Sequence, residues 1–401
     1  MSPSLAAETR RLTHAVAIAS DQALAGIVAY FDSMADRREA DRLLDAARPR
    51  LRKLRPPRPI SLVRLLFLPL DGVIVDARSW RRQDGTIPRD ALAVLTEAVR
   101  RALGPDAAAI EAGIAGKHFA DLAVVDALGR KLWHRAAKVT PSLSCPTEWE
   151  ATGLVEADYH RIAAMAAGVW RHAEPLWSAL LAAREGPPEI LVRDSLAAAA
   201  AEDAVVLEAM LATILLKAAK PGSVAAAAAA AHVGPPGIAE RMLDRWLEDC
   251  APDLAVDDAA GAARLAEEFV EAIEDLESSP AVRRPERRQR VAALRRRVGD
   301  ACRTTYAEAT TQSLLSPLTH ATAPPDNAAM LALESTARSL KRLEVAGRML
   351  GGGAGYDAAL RRILDGFGTL RRRPGTNPAD LARLTEILAG SEAALKLLDA
   401  G

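Results

Sequence analysis

Ala204-Val-Val-Leu-Glu-Ala-Met-Leu-Ala-Thr-Ile-Leu-Leu216 is the stretch that decides the fold class of this chain. It is apolar nearly all round, interrupted by Glu208, and it falls short of the ~20 apolar residues a membrane-spanning helix needs. Ala, Leu and Met lose little side-chain freedom in a helix. A helix apolar on every side belongs at the centre of a domain; a subunit interface is the alternative use of such a face. The stretch lies between Gly186-Pro187-Pro188 and Pro221-Gly222, which punctuate helices. Seven consecutive alanines follow at 225–231, read as a second, closely packed helix.

The same texture runs outward in both directions. Half of the 401 residues are apolar, but only 4% are aromatic, and runs of β-branched or aromatic residues that favour strands are scarce. Leu5, Leu12, Val16, Ala19, Ala23, Ile27 and Phe31 recur at helical spacing, and a second helix is expected near 36–47. Pro88 suits the first turn of a helix reaching Leu103. Further helices are predicted at about 106–116, 118–138, 148–183, 189–219, 223–232, 236–250, 258–278, 285–316, 327–350, 357–371 and 378–398, with Asn377-Pro378 as an N-cap and first-turn proline. Residues 60–76 admit two readings: a buried helix broken at Pro69, or a strand-like segment through Val73-Ile74-Val75. The expected fold is all-α, a multi-helix bundle or irregular α-α array with at most a minor strand-like segment near 70–76. No fixed period of ~33–47 residues is visible, so self-similarity does not support a solenoid.

Charge divides the chain more sharply than composition does. Residues 1–150 carry 23 basic and 18 acidic side chains, residues 151–282 carry 9 and 22, and residues 283–401 carry 20 and 12. A neutral total therefore covers an acidic middle between basic ends. The organisation expected from this is an N-terminal helical region at 1–140, a central acidic helical domain at 148–279 and a C-terminal basic helical region at 283–401.

Leu65-Leu-Phe-Leu-Pro-Leu-Asp-Gly-Val-Ile-Val-Asp76 resembles the first motif of haloacid-dehalogenase-type phosphatases, an apolar strand followed by D-x-D-G-V-I-V-D. In that family the first Asp is the nucleophile, the second is the acid/base, and a carboxylate cluster holds magnesium. Asp71 and Asp76 match the later positions, and Val256-Asp257-Asp258 imitates the later acidic motif. Pro69 occupies the nucleophile position, however, and offers no side-chain oxygen to attack phosphorus. The resemblance is confined to residues 65–76, and the alternating strands and helices that the family requires are not predicted.

Other motif-like features yield to plainer readings. Gly351–Gly355 follows a helix and precedes Tyr356-Asp357, with no G-K-[ST]; it reads as a helix end and flexible link. Glu156, His160 and His172 share roughly one helix side but lack the paired Glu-x-x-His pattern of di-metal bundles. No catalytic, cofactor-binding or metal-ligating residue is assigned, and no cofactor is expected. A cryptic site would draw on Asp71, Asp76 and His118. Cys145, Cys250 and Cys302 are too few and too far apart for a disulfide framework and suit a reducing compartment. Arg10 and Arg11 stand where an apolar export core would begin, so a cytoplasmic location is expected.

Two basic clusters remain as candidate contacts for an anion or a partner. The first is the proline-punctuated connector with Arg48, Arg50, Arg52, Lys53, Arg55 and Arg58. The second holds Arg283, Arg284, Arg287, Arg288, Arg290, Arg295, Arg296 and Arg297. The latter either face an external polyanion or pair internally with the preceding acidic helix, where Glu267, Glu271 and Glu274 recur at helical spacing. The sequence thus supports a non-enzymatic helical interaction, scaffold or regulatory protein that binds a protein partner or a second copy of itself. The alternative is an anion-binding module for nucleic acid or an anionic membrane surface, acting through 48–58 and 283–297.

Overall fold

A computed structural model describes residue 27 and residues 59–399, except 83–84, 187, 251–253, 255–257 and 321–323. Its helices are α1 (Leu62–Leu66), α2 (Ala91–Leu103), α3 (Pro105–Ile114), α4 (Leu122–Val139), α5 (Glu156–Arg171), α6 (Ala173–Glu185), α7 (Glu189–Ala198), α8 (Ala204–Lys217) and α9 (Pro221–Ala231). They continue with α10 (Ile238–Asp249), α11 (Ala259–Ser278), α12 (Pro285–Ala309), α13 (Ser316–His320), α14 (Asn327–Leu350), α15 (Gly353–Arg371), α16 (Pro378–Ala389) and α17 (Ser391–Asp399). The strands β1 (Ile74–Val75) and β2 (Ile87–Pro88) form a two-residue parallel pair, with Ile74 opposite Ile87. The fold is all-α with that one minor strand pair among the described residues. None of the described helices is long and apolar enough to cross a membrane.

Local chemistry sets many helix starts. Asp258, Asp326 and Asn377 are N-caps whose side chains accept from Gly261, Ala329 and Ala379 N–H groups, satisfying donors that the helix itself leaves unpaired. Three helices predicted as continuous are broken, and one of them, 378–398, divides at Gly390 between α16 and α17. Residues 148–183 divide at His172, between α5 and α6, and residues 189–219 divide between α7 and α8, where Asp203 precedes the apolar stretch. The predicted 285–316 helix leaves α-geometry at Thr310, where a π-helical turn runs to Leu315. At 351–355 the link is shorter than expected. Gly351 and Gly352 take positive φ, whereas Gly353 and Gly355 already belong to α15. A Cβ on Gly355 would overlap the Arg303 side chain packed against it.

Helix α8 lies at the centre of the first half. It packs against α5, α6, α7, α9, α10 and the 3-10 turn Leu68–Val73. That turn settles the two readings of 60–76: α1 ends at Leu66, Pro69 sits in the turn, and the strand begins at Ile74. The short α1 exposes carbonyls at its end to the core, and two buried indoles satisfy them. Trp133 donates to Leu65 O and Trp170 to Leu66 O, each at 2.8 Å.

Buried apolar residues fall into two clusters. One runs from Ile60 to Met242, and the other from Leu243 to Leu388 together with Ala225. The seam passes along α10, where Ile238, Ala239 and Met242 face the first cluster while Leu243 and Leu247 face the second. Half-buried Trp246 packs against both. The apolar seam therefore falls inside the acidic segment, at a different place from the changes in charge along the chain.

Candidate interaction surfaces

The dozen residues resembling a phosphatase motif have a packing role. Gly72 lies so close to α8 that a Cβ there would overlap the backbone of Ala212 and Thr213. Its N–H donates to Thr213 Oγ1 at 3.1 Å. Asp71 pairs with Lys217 Nζ at 2.7 Å, and exposed Asp76 lies 3.5 Å from Arg89. The backbone N–H of His118 donates to Asp121. Asp71 and Asp76 thus pair with different cations, while the buried His118 Nδ1 has no hydrogen-bond partner among the described residues. Glu156 and His160 are 3.4 Å apart, but His172 instead meets Glu202 at 3.1 Å, beside a bidentate Arg171–Glu202 pair. Among the described residues no group of three or more His, Cys, Asp or Glu is arranged to hold a metal.

The cluster 48–58 lies outside the described residues. In 283–297 the arginines divide by environment. Arg287 is 5% exposed; its Nε and Nη2 each donate to Asp244 at 2.9 Å, and its Nη1 donates to Ala281 O. The Arg287 hydrogen bonds hold the Asp244 carboxyl below the usual carboxylate range, against the opposing effect of burial. Arg290 reaches Asp244 and Glu248, Arg295 meets Glu277 at 2.7 Å, and Arg297 donates to Leu247 O. Arg288 donates to Arg283 O. Arg283, Arg284, Arg288 and Arg296 are exposed and make no ion pair within 4 Å among the described residues, although Arg284 adds to the positive field that lowers the Asp244 pKa.

Helices α11 and α12 do pack together, burying Ile273 and Leu276 with Val291, Leu294 and Val298 in the second cluster. The charge pairing expected between them is mostly routed elsewhere. Glu267 pairs with Arg342 of α14, Glu271 lies 3.5 Å from Lys220, and Glu277 alone meets an arginine of α12. Asp275 instead caps α9: the Gly222 and Ser223 N–H groups and the Ser223 hydroxyl all donate to it. The acid stripe is shared among three neighbours because α11 is packed between α9, α12 and α14.

Two apolar depressions flank α11. One, of about 390 Å³, lies on the seam between the clusters and is lined by Leu216, Met242, Trp246, Cys250, Leu265 and Phe269. Burial pushes the Cys250 thiol up to about 11, so it is neutral at ordinary pH and no ready nucleophile. The other, of about 260 Å³, runs between α11 and α14 over Val270 and Ala346. Val345 and Met349, one turn apart on α14, are 52% and 50% exposed beside it, and Lys341 with the Glu267–Arg342 pair forms its polar edge. Sequence reading missed this groove because an apolar residue's exposure depends on which neighbours the fold supplies.

Comparison with known protein families, curated proteins and solved structures finds no match for this chain.

Proposed function

We propose that this chain is a non-enzymatic helical interaction protein of the cytoplasm that receives an amphipathic helix of a protein partner in the groove between α11 and α14. The observation that carries this reading is the pair Val345 and Met349, both half exposed at i,i+4 spacing, above the apolar floor of Val270 and Ala346 and beside the Glu267–Arg342 pair. An apolar strip bordered by charge suits the apolar face of a helix, and methionine adapts to varied side chains. Cys145, Cys250 and Cys302 are free thiols, as a reducing compartment favours. The test is affinity capture with the full chain and with Val345→Asp/Met349→Asp. A partner held at high salt by the native chain and lost by the variant supports the reading. Equal recovery by both removes it.

A second reading rests on a different observation. Arg288 and Arg296 stand two turns apart on α12 with Arg284 at its N-cap, all three exposed and without an ion pair within 4 Å among the described residues. With Arg283 they offer the cationic surface by which an anion-binding module would engage nucleic acid or an anionic membrane, and the basic connector 48–58, outside the described residues, is the other segment proposed for that role. Changing Arg284, Arg288 and Arg296 to Gln should shorten retention on heparin. Unchanged retention assigns them to solvation alone.

A further inference from the structure

Between β1 and β2 the chain passes through Arg78-Ser-Trp-Arg-Arg82, against the first turns of α5. The Trp80 indole is half-buried and its Nε1 donates to Thr86 O at 3.1 Å, which fixes the ring. The Arg161 guanidinium lies 5.8 Å from the centre of that ring. Beside it is Asp158, 2% exposed, to which Arg82 Nη2 donates at 2.8 Å while its Nε lies 2.8 Å from the other carboxylate oxygen. Arg161 Nη2 is 3.8 Å from the same carboxylate, too far for a hydrogen bond. Arg161 Nε and Nη2 are shielded from solvent and have no acceptor. Arg81, which donates to Trp80 O, and Arg78 are exposed in the same turn, with no acidic partner among the described residues.

One carboxylate here faces two guanidiniums, with two more in the adjoining turn. A buried donor pair without an acceptor is unfavourable unless something accepts from it. Arg161, whose side chain is one-third exposed, lies beside a fixed ring without a bond to the carboxylate that Arg82 occupies, so its guanidinium is available to a planar or tetrahedral oxyanion. We infer that Arg161, Arg82 and Arg81, gathered around Asp158 and Trp80, bind the phosphate group of a small phosphorylated molecule. The site is separate from the α11–α14 groove and from 283–297, so its failure would leave those readings untouched.

The experiment is calorimetric titration of the full chain with pyrophosphate and with inorganic phosphate, at ionic strength held constant with chloride. Saturable binding of pyrophosphate at one site is expected. Arg161→Gln should weaken it about ten- to a hundredfold, the loss expected for charge-assisted bonds. Arg78→Gln/Arg81→Gln, on exposed side chains, should weaken it several-fold while leaving the melting temperature unchanged. If Arg161→Gln does not fold, the double variant decides alone. No saturable heat with the native chain, or affinity unchanged in the variants that fold, overturns the proposal.

Discussion

At the scale of single residues, close approaches and unpaired polar atoms govern the outcome. Gly72→Ala places a methyl group into the backbone of Ala212 and Thr213. It should destabilise the protein by about 1–3 kcal/mol in denaturant unfolding, the usual range for overpacking. Trp170→Phe keeps an aromatic ring but leaves Leu66 O buried without its 2.8 Å donor. The expected loss is about 1–3 kcal/mol, and a loss below half a unit would mean that water reaches the carbonyl. Tyr356 points the other way. Its hydroxyl is buried with no partner, burial pushes its pKa up, and it sits where Gly347 lacks a Cβ. Tyr356→Phe should therefore be neutral or stabilising by up to about 1 kcal/mol, and it should recover part of the destabilisation of Gly347→Ala when the two are combined. None of these three positions announces its role in the sequence. Each depends on an atom supplied from elsewhere in the chain, such as Thr213, which lies 141 residues beyond Gly72.

At the scale of elements, ion pairs choose neighbours and a buried pair fixes geometry. Arg295 and Glu277 are partly exposed, so Glu277→Arg should cost no more than about 1 kcal/mol, with Arg295→Glu restoring it in the double variant. Combining Glu271→Arg with Arg287→Glu should be additive, since Glu271 faces Lys220 and Arg287 faces Asp244. Arg287→Ala should cost about 1–3 kcal/mol, because it removes the bidentate partner of Asp244 at the α10–α12 contact and leaves only Arg290 beside that part-exposed carboxylate. The same pair sets a pH dependence. Since Arg287 holds the folded-state pKa of Asp244 down, its contribution is fully present above the unfolded carboxylate pKa of about 3.9. It is lost as pH falls below that value through the folded pKa. Melting curves from pH 6 to pH 3 should fall less steeply for Asp244→Asn than for the native chain. Parallel curves would show that other carboxylates control the acid limb.

At the scale of the whole molecule, two apolar clusters share helix α10. Leu340 is fully buried in the second, so Leu340→Ala should cost about 2–5 kcal/mol. Hydrogen exchange should then quicken through 259–388 well before it does in 60–215, because local opening follows the contacts that are lost. Uniform loss of protection would show that α10 and Trp246 couple the clusters into one cooperative unit.

The all-α class, most helix ends and the central place of 204–216 were legible in the sequence. They depend on local matters: apolar spacing, the low helical entropy cost of Ala and Leu, and caps such as Asn377-Pro378. The second basic cluster was legible as charge, but not as two populations. Arg287 and Arg296 look alike in the sequence, and only the packing of α12 on α10 buries one against Asp244 and leaves the other in solvent. Tertiary structure likewise decided that the Asp71-Gly72 turn docks on α8 and that α11 has three neighbours for its acids. It also gathered Trp80, Arg82, Asp158 and Arg161 in one place. The physical reason is common to all of these. Helix propensity acts between residues three or four apart, whereas burial and ion pairing are settled by whichever surfaces meet when the helices assemble.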